Sequence, residues 1–173
     1  MLASPNMTRR VSGDIVSNDD SEWHRVLDVN VVDLARVTRA PPPHLKRSPN
    51  ASTVNTSSVV ALVGVPNRAP YLASKGAVVA VTLAMAADHM RDGMRVNAVL
   101  PETADTPWVG RLLDDTDDPR EAAKSLRAWQ PAGRLVSAAE VANAIAYLAS
   151  PLPSSTTGTL LSVDGGMYGV RVN

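Results

Sequence analysis

Three side chains in the stretch SSVVALVGVPNRAPYLASK, residues 57–75, could act together on a proton. Tyr71 and Lys75 stand four residues apart at the start of a long apolar run. On a helix, that spacing puts the phenol and the ammonium on one face, one turn apart. Ser58 lies thirteen residues before Tyr71, at the end of a strand-like segment. A hydroxyl, a phenol and an ammonium would then converge where a strand ends and a helix begins, the edge at which parallel α/β sheets bind ligands. A free phenol, with a pKa of about 10, is a poor base at neutral pH, and a cation one turn away stabilises the phenolate. The same Tyr-x-x-x-Lys spacing also occurs on ordinary exposed helices, so the pair alone does not separate a site from a surface.

Asn30 is a fourth candidate. A helix with Asp20 or Ser21 as its N-cap and Glu22 in its first turn carries the apolar stripe Trp23, Leu27, Leu34, Val37. Asn30 falls in that stripe where the period calls for another apolar residue. A buried amide needs partners, so it is either a structural hydrogen bond to neighbouring backbone or part of a site.

The elements that must position these groups follow in order. The first helix ends before Pro41-Pro42-Pro43, and His44–Asn50 is a basic, polar loop. Ser52–Ser58 is β-prone and short enough for a buried strand. A loop with the turn formers Gly64, Pro66 and Asn67 leads to a helix from about Tyr71 to Met90, broken at Asp92-Gly93. Met94–Leu100 is a second strand, ended by Pro101. Glu102–Trp129 reads as loop with short helical pieces, its DDTDDP run a solvated turn. Ser137 and Glu140 form a capping box for a helix with Val141, Ile145 and Leu148 on its apolar face. Pro151–Gly158 is a flexible connection, and Thr159–Val163 is the last strand, stopped by Asp164-Gly165-Gly166. Alternating helices and strands predict a parallel sheet covered by helices. Residues 1–20 read as a poorly ordered or peripheral segment with a short extended piece at Asp14–Val16, and residues 21–173 as a single domain.

Composition narrows the function classes. The formal charge is zero, which recommends neither nucleic acid nor an anionic membrane as partner. The chain has no cysteine and three histidines, none at metal-ligand spacing, so no metal site is expected. The N-terminus lacks the apolar core of a secretory signal. The apolar run from Ala77 to Ala87 is too short to span a bilayer. A cytoplasmic protein is expected.

In this order the motifs resemble the short-chain dehydrogenase/reductase family, over roughly residues 13 to 168. The resemblance rests on WHRVLDVN, NTSS, YLASK, RVNAVLPETADTP and the closing DGG. It implies the C-terminal part of a Rossmann-like, doubly wound parallel sheet lacking the first βαβ units. It also implies an NAD- or NADP-dependent oxidoreductase that interconverts a small-molecule alcohol and a carbonyl by hydride transfer. Tyr71 would be the acid/base, Ser58 would hold the substrate oxygen, and Lys75 would lower the phenol pKa and bond the nicotinamide ribose. Asn30 would hold a water linking Lys75 to solvent. Tyr71 and Lys75 would also hold the cofactor, with Pro101, Thr103, Ala104 and Thr106 against the nicotinamide carboxamide. Arg95 and Asn97 look structural. The helices around Asn30 and Tyr71 would form a homo-oligomer contact through Ala73, Ala77, Val81 and Ala84.

Three departures accompany the resemblance. The phosphate-binding TGxxxGxG loop and the NNAG motif do not occur in the sequence, so roughly 80 residues of the family pattern, at about 30 per βαβ unit, have no counterpart here. Glu102 stands where the family has glycine, and Pro41–Pro43 shortens the preceding helix. With no strand beside it, Ser52–Ser58 would be an exposed apolar edge. A catalytically inactive remnant or an interaction partner of a full-length homologue is the alternative reading.

Overall fold

The computed structural model describes residues 13–39, 45 and 47–171. The first helical segment has three parts: α1 (Asp20–Leu27), a π turn (Asp28–Val32) and α2 (Asp33–Arg39). Asp19, not Asp20 or Ser21, is the N-cap, and its carboxylate accepts from Glu22 N–H at 2.9 Å. The preceding Asp14–Ser17 is a turn rather than an extended piece, because the Asp14 carboxylate accepts from the N–H groups of Val16 and Ser17. Pro41–Pro43 lie outside the described residues, and α2 stops at Arg39 just before them.

The π turn overturns part of the predicted stripe. It closes with Asp33 N–H on Asp28 O, one residue wider than an α-turn. Everything beyond it is therefore rotated by about 100°. Val37 leaves the stripe and is 69% exposed, while Ala35 and Thr38 turn inward to half-buried positions.

Strand β1 (Ser52–Thr56) pairs in parallel with β2 (Arg95–Pro101), with Ser52 opposite Arg95 and Thr56 opposite Val99. The long helix α3 (Ala69–His89) lies between them in sequence and ends in a tight turn at Met90–Asp92. Gly93 follows at φ +72°, a left-handed conformation that costs glycine nothing. After β2 come a short β3 (Ala104–Asp105), α4 (Pro107–Asp114), α5 (Pro119–Ala128), β4 (Val136–Ser137), α6 (Ala138–Ala149) and β5 (Leu160–Val163). The main sheet has the order β1-β2-β5, all parallel, and β3 pairs with β4 in a two-residue ladder the sequence did not announce.

Helices cover both faces of the sheet. Ser52 Oγ donates to Leu148 O of α6, and Asn55, three residues on and of opposite parity, donates to Thr82 Oγ1 of α3. The central β2 is buried through Leu100; Val96, Val99 and Leu100 are fully shielded, each worth roughly 1.5–3 kcal/mol of burial. Ala51, Ala86, Met94 and Val96 pack as one core cluster between α3 and the sheet. Helix α3 presents Pro70, Ser74, Val78, Thr82 and Ala86 inward at strict four-residue spacing. With its terminal turn this helix spans Ala69–Asp92, longer than the Ala77–Ala87 run and, by length and composition alone, enough to cross a membrane. Here one of its faces is packed on the sheet.

Two polar residues in β2 are structural, as expected. Arg95 donates to Leu148 O and Ser150 O at 2.8 Å each, and Asn97 bonds Thr156 O and Thr159 N–H. They tie the end of α6 and the 151–159 connection to the central strand. At the other end of α6 the capping box is complete: Ser137 Oγ accepts from Glu140 N–H, and the Glu140 carboxylate accepts from Ser137 N–H. Glu140 is held at a pKa of about 2, first by the Arg134 guanidinium and then by the Ser137 bonds. A depressed carboxyl stabilises the fold fully above the unfolded value of 4.5 and loses that contribution as pH falls toward about 2. Glu140→Gln should therefore melt earlier than wild type at neutral pH, with the gap closing through that window. A gap in melting temperature that stayed constant on acidification would refute this account of the cap.

Candidate active site

The C-terminal ends of β1 and β2 carry the candidate groups. The ladder runs one residue past β1, with Ser57 N–H on Val99 O at 3.0 Å. Ser58 is extended (φ −161°, ψ 152°) and caps the short turn Val59–Ala61. Its hydroxyl donates to Pro101 O at 3.2 Å and accepts from Val60 N–H at 3.4 Å, and the residue is only 7% exposed. The loop then turns at Asn67 (φ +56°) into α3, whose first turn holds Pro70 and Tyr71.

Lys75 reaches back across this junction. Its Nζ donates to Thr56 O at 3.3 Å and lies 5.7 Å from the centroid of the Tyr71 ring. Burial pushes the Lys75 pKa below its ordinary 10.5, since a desolvated ammonium is disfavoured. An ammonium has three donors. Among the described residues only the Thr56 carbonyl takes one of them, so the site keeps cationic donor capacity next to a phenol.

Asn30 does not meet Lys75 directly. It sits at the centre of the π turn, and its Nδ2 donates to Ser74 Oγ at 3.0 Å. Ser74 is fully buried and passes its own proton to Tyr71 O at 2.7 Å. The amide in the apolar stripe is thus satisfied by a side chain of α3, not by neighbouring backbone. Wide turns of this kind recur at functional sites because they re-aim a few side chains within a regular helix.

The segment after β2 is arranged differently from the rest. Glu102 N–H donates to Val163 O at 3.2 Å, joining the ends of β2 and β5. The Glu102 carboxylate accepts from Thr103 N–H and, at 3.1 Å, from Thr103 Oγ1. Ala104 is drawn into the β3–β4 ladder, and Thr106 caps α4 by accepting from Val109 N–H at 3.4 Å. Pro101, Thr103, Ala104 and Thr106 are all half-buried, in one run leading away from Ser58. A cavity of about 240 Å³ between Arg134, Glu140, Ser162 and Asp164 contains none of the candidate residues. Among the described residues no group of three or more His, Asp or Glu is placed to hold a metal.

Two residues that the sequence reading passed over belong to this junction. Ser57 Oγ donates to Lys75 O at 2.8 Å, and Ser74 links Asn30 to the Tyr71 turn. Ser57 could have been noticed as one of an adjacent pair whose members must point to opposite sides of an extended chain. Ser74 gave no signal beyond being small at a buried helix position.

A family model described as Enoyl-(Acyl carrier protein) reductase matches residues 2–168. The chain belongs to the short-chain dehydrogenase/reductase family. Dehydrogenase/reductase SDR family member 6 of Rattus norvegicus is 37% identical over 155 residues, 89% of this chain and 63% of that protein. The chain thus spans less than two thirds of that relative's length. Among solved structures, an actinorhodin polyketide ketoreductase variant with NADPH is 32% identical with a TM-score of 0.84, covering 94% of this chain and 65% of that one. NAD+-bound xylitol dehydrogenase is 26% identical with a TM-score of 0.81, covering 90% and 64%. The parallel sheet with helices on both faces is the Rossmann-like fold of this oxidoreductase family.

Proposed function

We propose that the chain serves an NAD- or NADP-dependent interconversion of a small alcohol and its carbonyl, with Tyr71 as acid/base. The observation that carries this reading is the half-buried Lys75, its ammonium anchored on Thr56 O beside the Tyr71 ring at the ends of two parallel strands. Its spare donors fit the hydroxyls of a nicotinamide ribose, and its charge favours phenolate. Ser58, shielded and already a donor to Pro101 O, can turn its proton to a substrate oxygen on which charge develops. Tyr71 then takes the alcohol proton or returns it to the carbonyl. Asn30 acts at one remove, through Ser74. When bound, the nicotinamide supplies the hydride acceptor or donor. The backbone of Pro101–Thr106, whose first carbonyl accepts from Ser58, would lie against its carboxamide, and there the Glu102 carboxylate already engages Thr103. Pairing of two copies through α3 fits the same reading; of the four contact residues expected, Ala73 and Ala84 are exposed and Ala77 and Val81 half-buried.

One observation favours a second reading. The 173 residues contain neither TGxxxGxG nor NNAG, so the pyrophosphate of a dinucleotide has no glycine cradle in this sequence. The chain would then be a non-catalytic partner of a longer relative. Titration with NADH and NADPH, followed by nicotinamide fluorescence and then turnover on a panel of secondary alcohols and ketones, separates the two. Saturable binding with turnover is expected, and the absence of binding to both cofactors would replace the enzyme by the partner.

A further inference from the structure

We propose that Ser57 is a positioning residue that locks Lys75 beneath Tyr71 without itself touching substrate or cofactor; this rests on the acid/base reading of Tyr71. Ser57 is 3% exposed and cannot reach a ligand. Its hydroxyl donates to Lys75 O at 2.8 Å, while Lys75 Nζ donates to Thr56 O at 3.3 Å. Two hydrogen bonds thus run in opposite directions between one strand end and one helix residue. One fixes the Lys75 main chain and the other its ammonium.

The geometry follows from strand parity. Asn55 and Ser57 share the face turned to α3, where they bond Thr82 and Lys75, whereas Ser58 turns away to Pro101. A helix carbonyl has a second lone pair, so Lys75 O takes the serine proton without giving up its helical bond. Ser57 is itself held by its N–H on Val99 O. The grip is therefore transmitted from the central strand β2 through β1 to the helix turn that carries both the phenol and the ammonium. An ammonium held against burial swings toward water when its main chain is released, and the field at Tyr71 weakens. Two other ionisable groups lie along the neighbouring chain: Glu102 accepts from Thr103 Oγ1, and Arg68, just before α3, donates to Asn67 O.

The test is an ultraviolet titration of Tyr71 in the full chain, isolated by subtracting the Tyr71→Phe curve. That subtraction removes the signals of Tyr147 and Tyr168, both half exposed. Ser57→Ala should move the Tyr71 midpoint up by about one pH unit and lower kcat by about tenfold or more, with KM little changed. Ser52→Ala serves as the control, because Ser52 also ties β1 to a helix but at the far end of the strand. It should lower the melting temperature and leave the midpoint in place. If Ser57→Ala does not fold, Ser57→Cys, which keeps the size with a weaker donor, takes its place and should show a smaller rise. An unmoved midpoint in the folded Ser57 variant, or an equal rise in Ser52→Ala, would overturn the assignment. The titration needs neither cofactor nor substrate, so a chain that proves inactive still decides the role of Ser57 separately from the enzymatic reading.

Discussion

Replacing Tyr71 by Phe should lower turnover by roughly 10²–10⁴-fold while leaving affinity for the reduced nicotinamide nearly unchanged. The change removes one oxygen and keeps the ring over which Lys75 lies, 5.7 Å from its centroid, so packing at the start of α3 is preserved. What disappears is the group that takes or gives the proton in the transition state, and such a loss appears in kcat rather than in binding. The measurement is a pair of titrations, cofactor fluorescence and initial rates, on wild type and variant side by side. Turnover equal to wild type would remove Tyr71 from the chemistry. A parallel loss of cofactor affinity would make it a binding residue instead.

Lys75→Met should abolish turnover and, in the same protein, raise the melting temperature by roughly 2–4 °C at neutral pH. A buried ammonium is costly even when hydrogen-bonded, and methionine fills similar space without that cost. The sign follows from the direction of the Lys75 pKa, which burial lowers below 10.5. Below the lowered value the native state bears the whole penalty. Between that value and 10.5 the unfolded chain holds a proton the native chain has released, so wild-type stability rises with pH. The advantage of Lys75→Met should therefore shrink on alkaline titration. A variant less stable than wild type at neutral pH would mean that the bond to Thr56 O and the contact with the Tyr71 ring outweigh desolvation. Stability and activity pulling apart at one residue is the mark of a site held for its chemistry.

The order of elements was legible because each boundary has a local cause. Prolines and glycines stop the helices, the Ser137–Glu140 box starts α6, and the dense apolar run of β2 can only be a central strand. The proximity of Tyr71 and Lys75 was legible from their four-residue spacing on one helix, whereas Ser58 is seen bonded to Pro101 O. The π turn was not legible: the weak helix formers of DVNVV lower helical propensity without saying where a turn widens, and the turn carries the Asn30 bond to Ser74 of α3. The partner of Asn30 was missed for the same reason: Ser74 is forty-four residues away, and a small hydroxyl within an alanine-rich helix carries no periodic signal. The curl of Glu102 onto Thr103 and the β3–β4 ladder arise from chain direction after Pro101, which composition does not encode.

The wide turn at Asp28–Val32 makes chain length, more than composition, the constrained quantity in the first helical segment. An apolar substitution at Val29 or Val31 changes a contact, whereas deleting one residue between Leu27 and Asp33 would close an unbroken α-spiral that leaves Ala35 and Thr38 facing inward but removes the wide turn itself. Asn30 would then sit in an ordinary α-turn, without the widening that accompanies its bond to Ser74. In this stretch the count of residues is part of what shapes the candidate site.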